Sequence, residues 1–219
     1  MSISTLVAAG TALVTVRQAS GEQGLTRDGQ VTDRYTAAVA NLGNSSEEVR
    51  IGGLYALQRI AQDSPRDAPT IAQVISAYLR SHAPLPQKGT TAPAHPTNDV
   101  AAALSILTRP LAKDEPADLS QTELSGANLL PPIVHKITRS HLEGANLSYA
   151  DLERANLSLV DLEGANLQGA DLSKADLRNA NLEGANLMFA DLSNAALLGV
   201  NLKGASLTGV RGYPPPGQG

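Results

Sequence analysis

Leucine recurs every five residues from Leu142 to Leu207, at 142, 147, 152, 157, 162, 167, 172, 177, 182, 187, 192, 197, 202 and 207. The residue two before each leucine is small: Ala in most units, Val at 160 and 200, Ser at 140. Asn or Asp lies between them in eleven of the fourteen units. A period of five suits neither common element. On a helix, five residues advance by about 140°, which scatters the leucines around the axis. In a continuous strand, an odd period sends alternate leucines to opposite faces. The pattern is consistent only with a chain that turns a corner every five residues and keeps all the leucines pointing at one axis, which is a solenoid.

The chemistry of the unit fits that geometry. Leu142, Leu147, Leu152, Leu157, Leu162, Leu167, Leu172, Leu177, Leu182, Leu187, Leu192, Leu197, Leu202 and Leu207, with the alanines before them, are expected to fill a narrow interior. Glycine stands two after leucine at 144, 164, 169, 184, 199, 204 and 209, where a tight corner calls for positive φ. Runs such as Ala165-Asn166-Leu167-Gln168-Gly169 and Ala185-Asn186-Leu187-Met188-Phe189 resemble the pentapeptide-repeat family. The resemblance covers 117–209. It implies an α+β chain in which a helical N-terminal region precedes a right-handed, quadrilateral β-helix of twenty residues per coil.

The repeat begins before Ser140, with Ala117-Asp118-Leu119, Thr122-Glu123-Leu124 and Ala127-Asn128-Leu129. Eight residues, 132–139, then interrupt it. The simplest expectation counts them as one five-residue side carrying a bulge. The rod then has eighteen sides and a length of roughly 22 Å at strand spacing. The organisation expected is a helical region at 1–116 with a Pro/Gly-rich linker at 83–97, a β-helix at 117–209, and a Pro/Gly-rich tail at 210–219.

The first half has helical periodicity. Val31, Tyr35, Ala38, Val39 and Leu42 share a face, and Gly43 can stop that helix. Ser45 with Glu48 reads as a capping box for the next helix, which Pro65 ends. Ile71, Val74, Ile75, Tyr78 and Leu79 stripe a third helix. A fourth, about 98–107, is expected to cover the open end of the rod, with the linker loose on the surface. Residues 30–83 resemble the helical region that precedes the repeats in many actinobacterial pentapeptide-repeat proteins. Transmembrane helices often come before it in those relatives. Here only Ile3 to Val16 is apolar, too short to span a bilayer, and no basic stretch precedes it. A membrane contact through residues 3–16 is therefore not expected, and the chain reads as cytoplasmic, with membrane association as the alternative.

The net charge of −4 is unevenly distributed. Residues 1–116 hold ten acidic and ten basic side chains, whereas 117–219 hold eleven and seven. An acidic rod argues against direct nucleic-acid binding. Stacking every twenty residues yields surface columns. Glu143, Glu163, Glu183 and Lys203 form one, and Asp151, Asp171 and Asp191 lie on the opposite side, with Arg154 and Lys174 beside them. Asn146, Asn166, Asn186 and Ser206 form a third, where Tyr149 and Phe189 protrude on either side of Gly169. The six carboxylates and two aromatics are the candidate partner-binding residues. Stacked carboxylates about 5 Å apart repel, so the Glu column is expected to cost some stability.

Catalysis has little support. His82, His95, His135 and His141 are the only histidines, and cysteine is absent. No nucleophile motif, metal-ligand spacing or phosphate-cradling loop accompanies them. No metal or cofactor is expected. The reading is a non-catalytic scaffold for an unidentified protein partner, a monomer or weak dimer. Two alternatives stand beside it: a DNA mimic that protects or inhibits DNA gyrase, as some relatives are, and a membrane-associated regulator.

Overall fold

The structure, a computed structural model, describes residues 22–87, 95–108, 117–124, 126, 127, 129 and 140–213. The apolar segment at 3–16, the bulge at 132–139, the middle of the linker and the end of the tail lie outside these residues.

Four helices are described: α1 (Glu22–Leu42), α2 (Glu47–Asp63), α3 (Ala68–His82) and α4 (Asn98–Leu107). Each buries the stripe its periodicity marks. Tyr35, Ala38 and Leu42 are buried on α1, and Ile71, Val74, Ile75, Tyr78 and Leu79 on α3. α1 lies close on α2 because Gly53 has no side chain: a Cβ there would stand 2.8 Å from the Ala38 carbonyl oxygen. The residue that caps α2 is Ser46 rather than Ser45. The Val49 N–H donates to Ser46 Oγ at 3.4 Å, and Ser46 Oγ donates to Glu48 Oε2 at 2.6 Å. Ser45 is held outside the helix, where its carbonyl accepts from Arg50 Nη1 at 3.0 Å.

One buried polar knot ties three helices together. Arg50 of α2 donates through Nε to Asp99 Oδ2 of α4 at 2.7 Å, and Tyr78 of α3 donates its hydroxyl to the same oxygen at 2.5 Å. Thr97 Oγ1 and the Val100 N–H donate to Asp99 Oδ1. Burial alone would raise the Asp99 pKa, but the bonds from Thr97, Tyr78 and Arg50 outweigh it and hold the carboxyl at about 2.

The repeats wind into a solenoid. Parallel bridges join each residue to the one twenty positions on, in four columns: Asn146–Asn166–Asn186–Ser206, Asp151–Asp171–Asp191–Arg211, Asn156–Asp176–Ala196 and Asp161–Asn181–Asn201. Four columns are four sides. The strands proper are minimal: β1 (Ser140–His141) pairs in parallel with β2 (Val160–Asp161). The ladder is regular. Each leucine N–H donates to the coil ahead, as Leu147 does to Asn166 O at 2.7 Å, and each Asn or Asp N–H donates to the coil behind, as Asn166 does to Ala145 O at 2.9 Å. The leucines of the five-residue series from Leu142 to Leu192 are all at most 2% exposed.

The structure corrects three expectations about the rod. First, Asp118 pairs with Asn146, and Glu123 with Asp151. The first coil therefore takes twenty-eight residues, and its fourth side is the unit at 140–144. The described coil therefore does not keep the expected register of eighteen five-residue sides. Second, the corners are left-handed whatever residue occupies them. Tyr149, Arg154, Leu159, Lys174, Asn179, Phe189 and Asn194 have φ between 56° and 62°, beside glycines such as Gly164 at 65°. The ladder enforces this, since each corner N–H is bonded to the next coil, as Tyr149 is to Gln168 O at 2.9 Å. Third, Leu197, Leu202 and Leu207 are only partly buried, because no described coil lies beyond them.

The helices join the rod through the end of α3. The Ala83 carbonyl accepts from the Glu123 N–H at 2.7 Å, and Pro84 forms an antiparallel bridge with Thr122. Arg80 Nη1 pairs with Asp118 Oδ2 at 2.7 Å and donates to its carbonyl oxygen at 2.8 Å. The start of the linker is thus part of the first coil's ladder, not loose. α4 packs on α2 and α3, while the contacts with the first coil described above come from Arg80 of α3 and from Ala83 and Pro84 just after it.

Candidate interaction surface

The outward side chains divide by their place in the five-residue unit. The Asn or Asp before a leucine is half-buried in every described unit but that of Asn201, which is exposed, and it turns back on the chain. Its Oδ1 accepts from the N–H two residues on: Asn146 from Ser148 at 3.2 Å, Asp151 from Glu153 at 2.9 Å, Asp171 from Ser173 and Asp191 from Ser193, each at 2.9 Å. A short side chain that accepts two residues ahead stabilises a turn, which is why this position is Asn or Asp. Amides also bond between coils, with Asn166 Nδ2 donating to Asn146 Oδ1 at 3.2 Å and Asn186 Nδ2 to Asn166 Oδ1 at 3.1 Å.

The carboxylate columns are consequently less free than their spacing suggests. Asp151, Asp171 and Asp191 do lie in one bridged column, but as half-buried turn formers. Asp191 is also paired with Arg211 at 2.8 Å. Burial raises the Asp151 pKa, and the charges of Glu123, Asp171 and Glu153 add to the rise against the bond from the Glu153 N–H. On the opposite side Glu143 and Glu163 are exposed and Glu183 half-exposed. Glu163 accepts from Asn181 Nδ2 at 3.4 Å, and Glu183 from Lys203 Nζ at 2.8 Å and Asn201 Nδ2 at 3.3 Å. The amides and Lys203 offset the repulsion expected of that column. Further ion pairs, Lys174–Glu153 and Arg178–Asp176, neutralise other carboxylates of the rod.

Tyr149 and Phe189 are 52% and 59% exposed and occupy one corner column, two coils apart. Each ring lies over the glycine one coil ahead, Gly169 and Gly209. Leu198, 79% exposed, and Leu159, at 37%, are large apolar side chains of the rod that the columns did not single out. For Leu198 the signal was present: Ala195-Ala196-Leu197-Leu198-Gly199 is the one unit from 140 to 209 apolar both before and after its leucine. His82 stacks on Tyr78 with centroids 3.9 Å apart, away from these faces. Among the described residues, no group of three His, Asp or Glu side chains converges as metal ligands would. No described helix is long and apolar enough to cross a membrane.

A four-column ladder, a leucine interior and an Asn/Asp turn in each unit define a β-helix solenoid of five-residue repeats. The sequence profile of the pentapeptide repeats matches residues 137–173 and 170–209, in eight copies. The chain belongs to the pentapeptide-repeat family. Among solved structures it is similar to the pentapeptide repeat protein Rfr23 of the cyanobacterium Cyanothece 51142, at 44% identity over 46% of this chain and 63% of that one, with a TM-score of 0.41. It is also similar to a pentapeptide repeat protein of Nostoc PCC 7120, at 35% identity over 44% of this chain and 84% of that one, with a TM-score of 0.34. A third is HetL, from the same cyanobacterial strain and involved in heterocyst differentiation regulation, at 31% identity over 42% of this chain and 50% of that one, with a TM-score of 0.21. The chain thus spans less than two thirds of the length of the Cyanothece protein. No curated protein sequence matches it.

Proposed function

We propose that this protein is a non-catalytic scaffold: a helical module, 1–116, clamped to a short rod that presents side chains in fixed register to a protein partner in the cytoplasm. The supporting observation is the pairing of rigidity with exposure. Every outward column is pinned by the backbone ladder, while Tyr149, Phe189 and Leu198 stand out from it with half or more of their surface in water. Exposed aromatics on a rigid frame are what binding hot spots are made of. The rod is taken as right-handed and four-sided, as the resemblance implies.

The DNA-mimic alternative needs an unbroken run of free carboxylates, and ion pairs at Glu153, Asp176, Glu183 and Asp191 interrupt it. Crosslinking of the purified chain in lysate, compared between wild type and the Tyr149→Ser/Phe189→Ser variant, tests the scaffold reading. The same partner should be captured by the first and lost by the second. Capture that is indifferent to the substitutions, or salt-sensitive protection of purified gyrase abolished by reversing Glu143, Glu163 and Glu183 to Lys, would overturn it.

A further inference from the structure

The corner column that carries Tyr149 and Phe189 has a fixed spacing. The N–H of each corner residue is bonded to the coil ahead, Tyr149 to Gln168 O and Phe189 to Thr208 O, both at 2.9 Å. Each ring also rests on a glycine backbone one coil on. The two rings are therefore two coils apart, about 9.6 Å at strand spacing. The side of the rod that leads to this corner carries no charge: it reads Asn146-Leu147-Ser148, Asn166-Leu167-Gln168, Asn186-Leu187-Met188 and Ser206-Leu207-Thr208. Hydrogen-bond donors stand beside the rings. Gln168 Nε2 donates to Tyr149 Oη at 3.5 Å, which leaves the Tyr149 hydroxyl proton and one amide hydrogen of Gln168 without an acceptor among the described residues.

We propose that the segment received at this corner is an uncharged, proline-rich stretch of the partner protein in the polyproline II conformation, with prolines three residues apart seated on Tyr149 and Phe189. The inference rests on the reading of these two rings as docking residues. Three properties of the corner select that occupant. The first is spacing. Polyproline II presents the same edge every three residues, about 9.3 Å at 3.1 Å per residue, which matches the separation of the rings. A strand returns to one face after about 6.8 Å, so it meets one ring and misses the other. An α-helix returns after seven residues, about 10.5 Å, but it must lay down a continuous apolar stripe, and Ser148, Asn166 and Gln168 interrupt the surface between the rings. The second is hydrogen bonding. Polyproline II carbonyls have no internal partners and proline has no N–H, so the ligand brings acceptors to a corner where Tyr149 and Gln168 hold donors. The third is charge. The uncharged side gives no purchase to an acidic or basic segment, and the aspartates past the corner, Asp151, Asp171 and Asp191, turn back on the chain.

The test titrates the full chain into two capped, fluorescein-labelled peptides of equal length and composition. In one, Pro-Ala-Ala is repeated four times, which sets prolines three apart. In the other, Pro-Pro-Ala-Ala-Ala-Ala is repeated twice, which sets no two prolines three apart. Fluorescence anisotropy should show saturable binding of the first, about tenfold tighter than of the second. Tyr149→Ala and Phe189→Ala should each weaken that binding about tenfold. Tyr55→Ala, at an exposed aromatic of the helical half, should leave it unchanged. Equal binding of both peptides, or binding indifferent to the two rings, would overturn the proposal. So would binding that appears only once Pro214, Pro215 and Pro216 are changed to Ala, because the chain's own prolines would then hold the corner. Loss of a lysate partner in Tyr149→Ser/Phe189→Ser, with neither peptide bound by the wild type, overturns this inference and leaves the docking reading standing. A wild type with no ring-dependent partner and no bound peptide overturns both.

Discussion

The Tyr149 ring rests on the backbone of Gly169, one coil ahead: a Cβ at 169 would stand 2.6 Å from Tyr149 Cε1 and 2.7 Å from Cδ1. Phe189 repeats the arrangement over Gly209, at 2.6 Å and 2.8 Å. Glycine at these corners thus does two things, adopting positive φ and leaving room for a ring. Gly184 does only the first, with φ 67° and nothing within 4 Å of a Cβ.

The two contributions separate by substitution. Gly184→Ala should cost about 1 kcal/mol, the penalty of a left-handed non-glycine residue. Gly169→Ala should cost about 2–3 kcal/mol, because the Tyr149 ring must also move. Adding Tyr149→Ala should return the 169 variant to a cost close to that of the 184 variant. Urea melts of wild type, Gly169→Ala, Tyr149→Ala and the double variant form the cycle, and additive costs would show that the ring and the glycine are not coupled.

A second prediction compares leucines along the axis. Leu167 is fully buried, so Leu167→Asp places a carboxylate in a dry interior and should cost several kcal/mol, on the order of 4, enough to unfold the rod. Leu207→Asp, in the last described coil, should cost roughly 1 kcal/mol and leave the melt cooperative. Similar losses at both positions would mean that the last coil is covered.

These contrasts bear on what the sequence shows by itself. Every unit from 140 to 209 carries the same local message, so the coil, its interior and its four columns can be read from period alone. Relations between coils cannot. The twenty-eight-residue first coil follows from which residue Asp118 meets, and no local pattern in 132–139 states that. Ser45 and Ser46 are equally good caps by composition, and Arg50, reaching back to Ser45, decides between them. Asp151 looks like a surface charge on spacing. It is half-buried because its oxygen serves a turn. The end of the described rod is invisible in the repeat, since Leu207 keeps the small-polar-Leu order of Leu187 and is partly buried only because no described coil lies beyond it.

The Arg50–Tyr78–Asp99 knot predicts acid sensitivity of the helical half. The Asp99 pKa is held at about 2, below its ordinary 3.8. A lowered folded-state pKa contributes stability that is complete above the unfolded value and is lost as pH falls from there through about 2. Circular dichroism melts between pH 5 and pH 2, roughly spanning that window, should show this loss in the wild type. Asp99→Asn should remove it, and should cost about 3 kcal/mol at neutral pH by leaving Arg50 without its anion. A variant with an unchanged acid limb would place the titrating group elsewhere.

Asp151 predicts the opposite sign. Burial, with Glu123, Asp171 and Glu153 nearby, raises its pKa above 3.8. A carboxyl that binds its proton more tightly when folded destabilises the fold wherever it is ionised, so the penalty is complete at neutral pH and vanishes as pH falls below the unfolded value. Asn is the neutral isostere, and Asn156 shows that it serves the same turn, accepting from the Ser158 N–H at 3.2 Å. Asp151→Asn should therefore raise the melting temperature at pH 7 and leave it unchanged near pH 3, roughly below the free carboxyl's pKa. In the same protein, Asp191→Asn should lower stability at pH 7, because the Asp191 pKa is held down, chiefly by hydrogen bonds from Ser193, with Arg211 nearby. Two aspartates in one column, at equivalent positions of the repeat, should thus respond to the same substitution with opposite signs. Equal responses would show that repeat position, and not the groups around each carboxylate, sets their energetics.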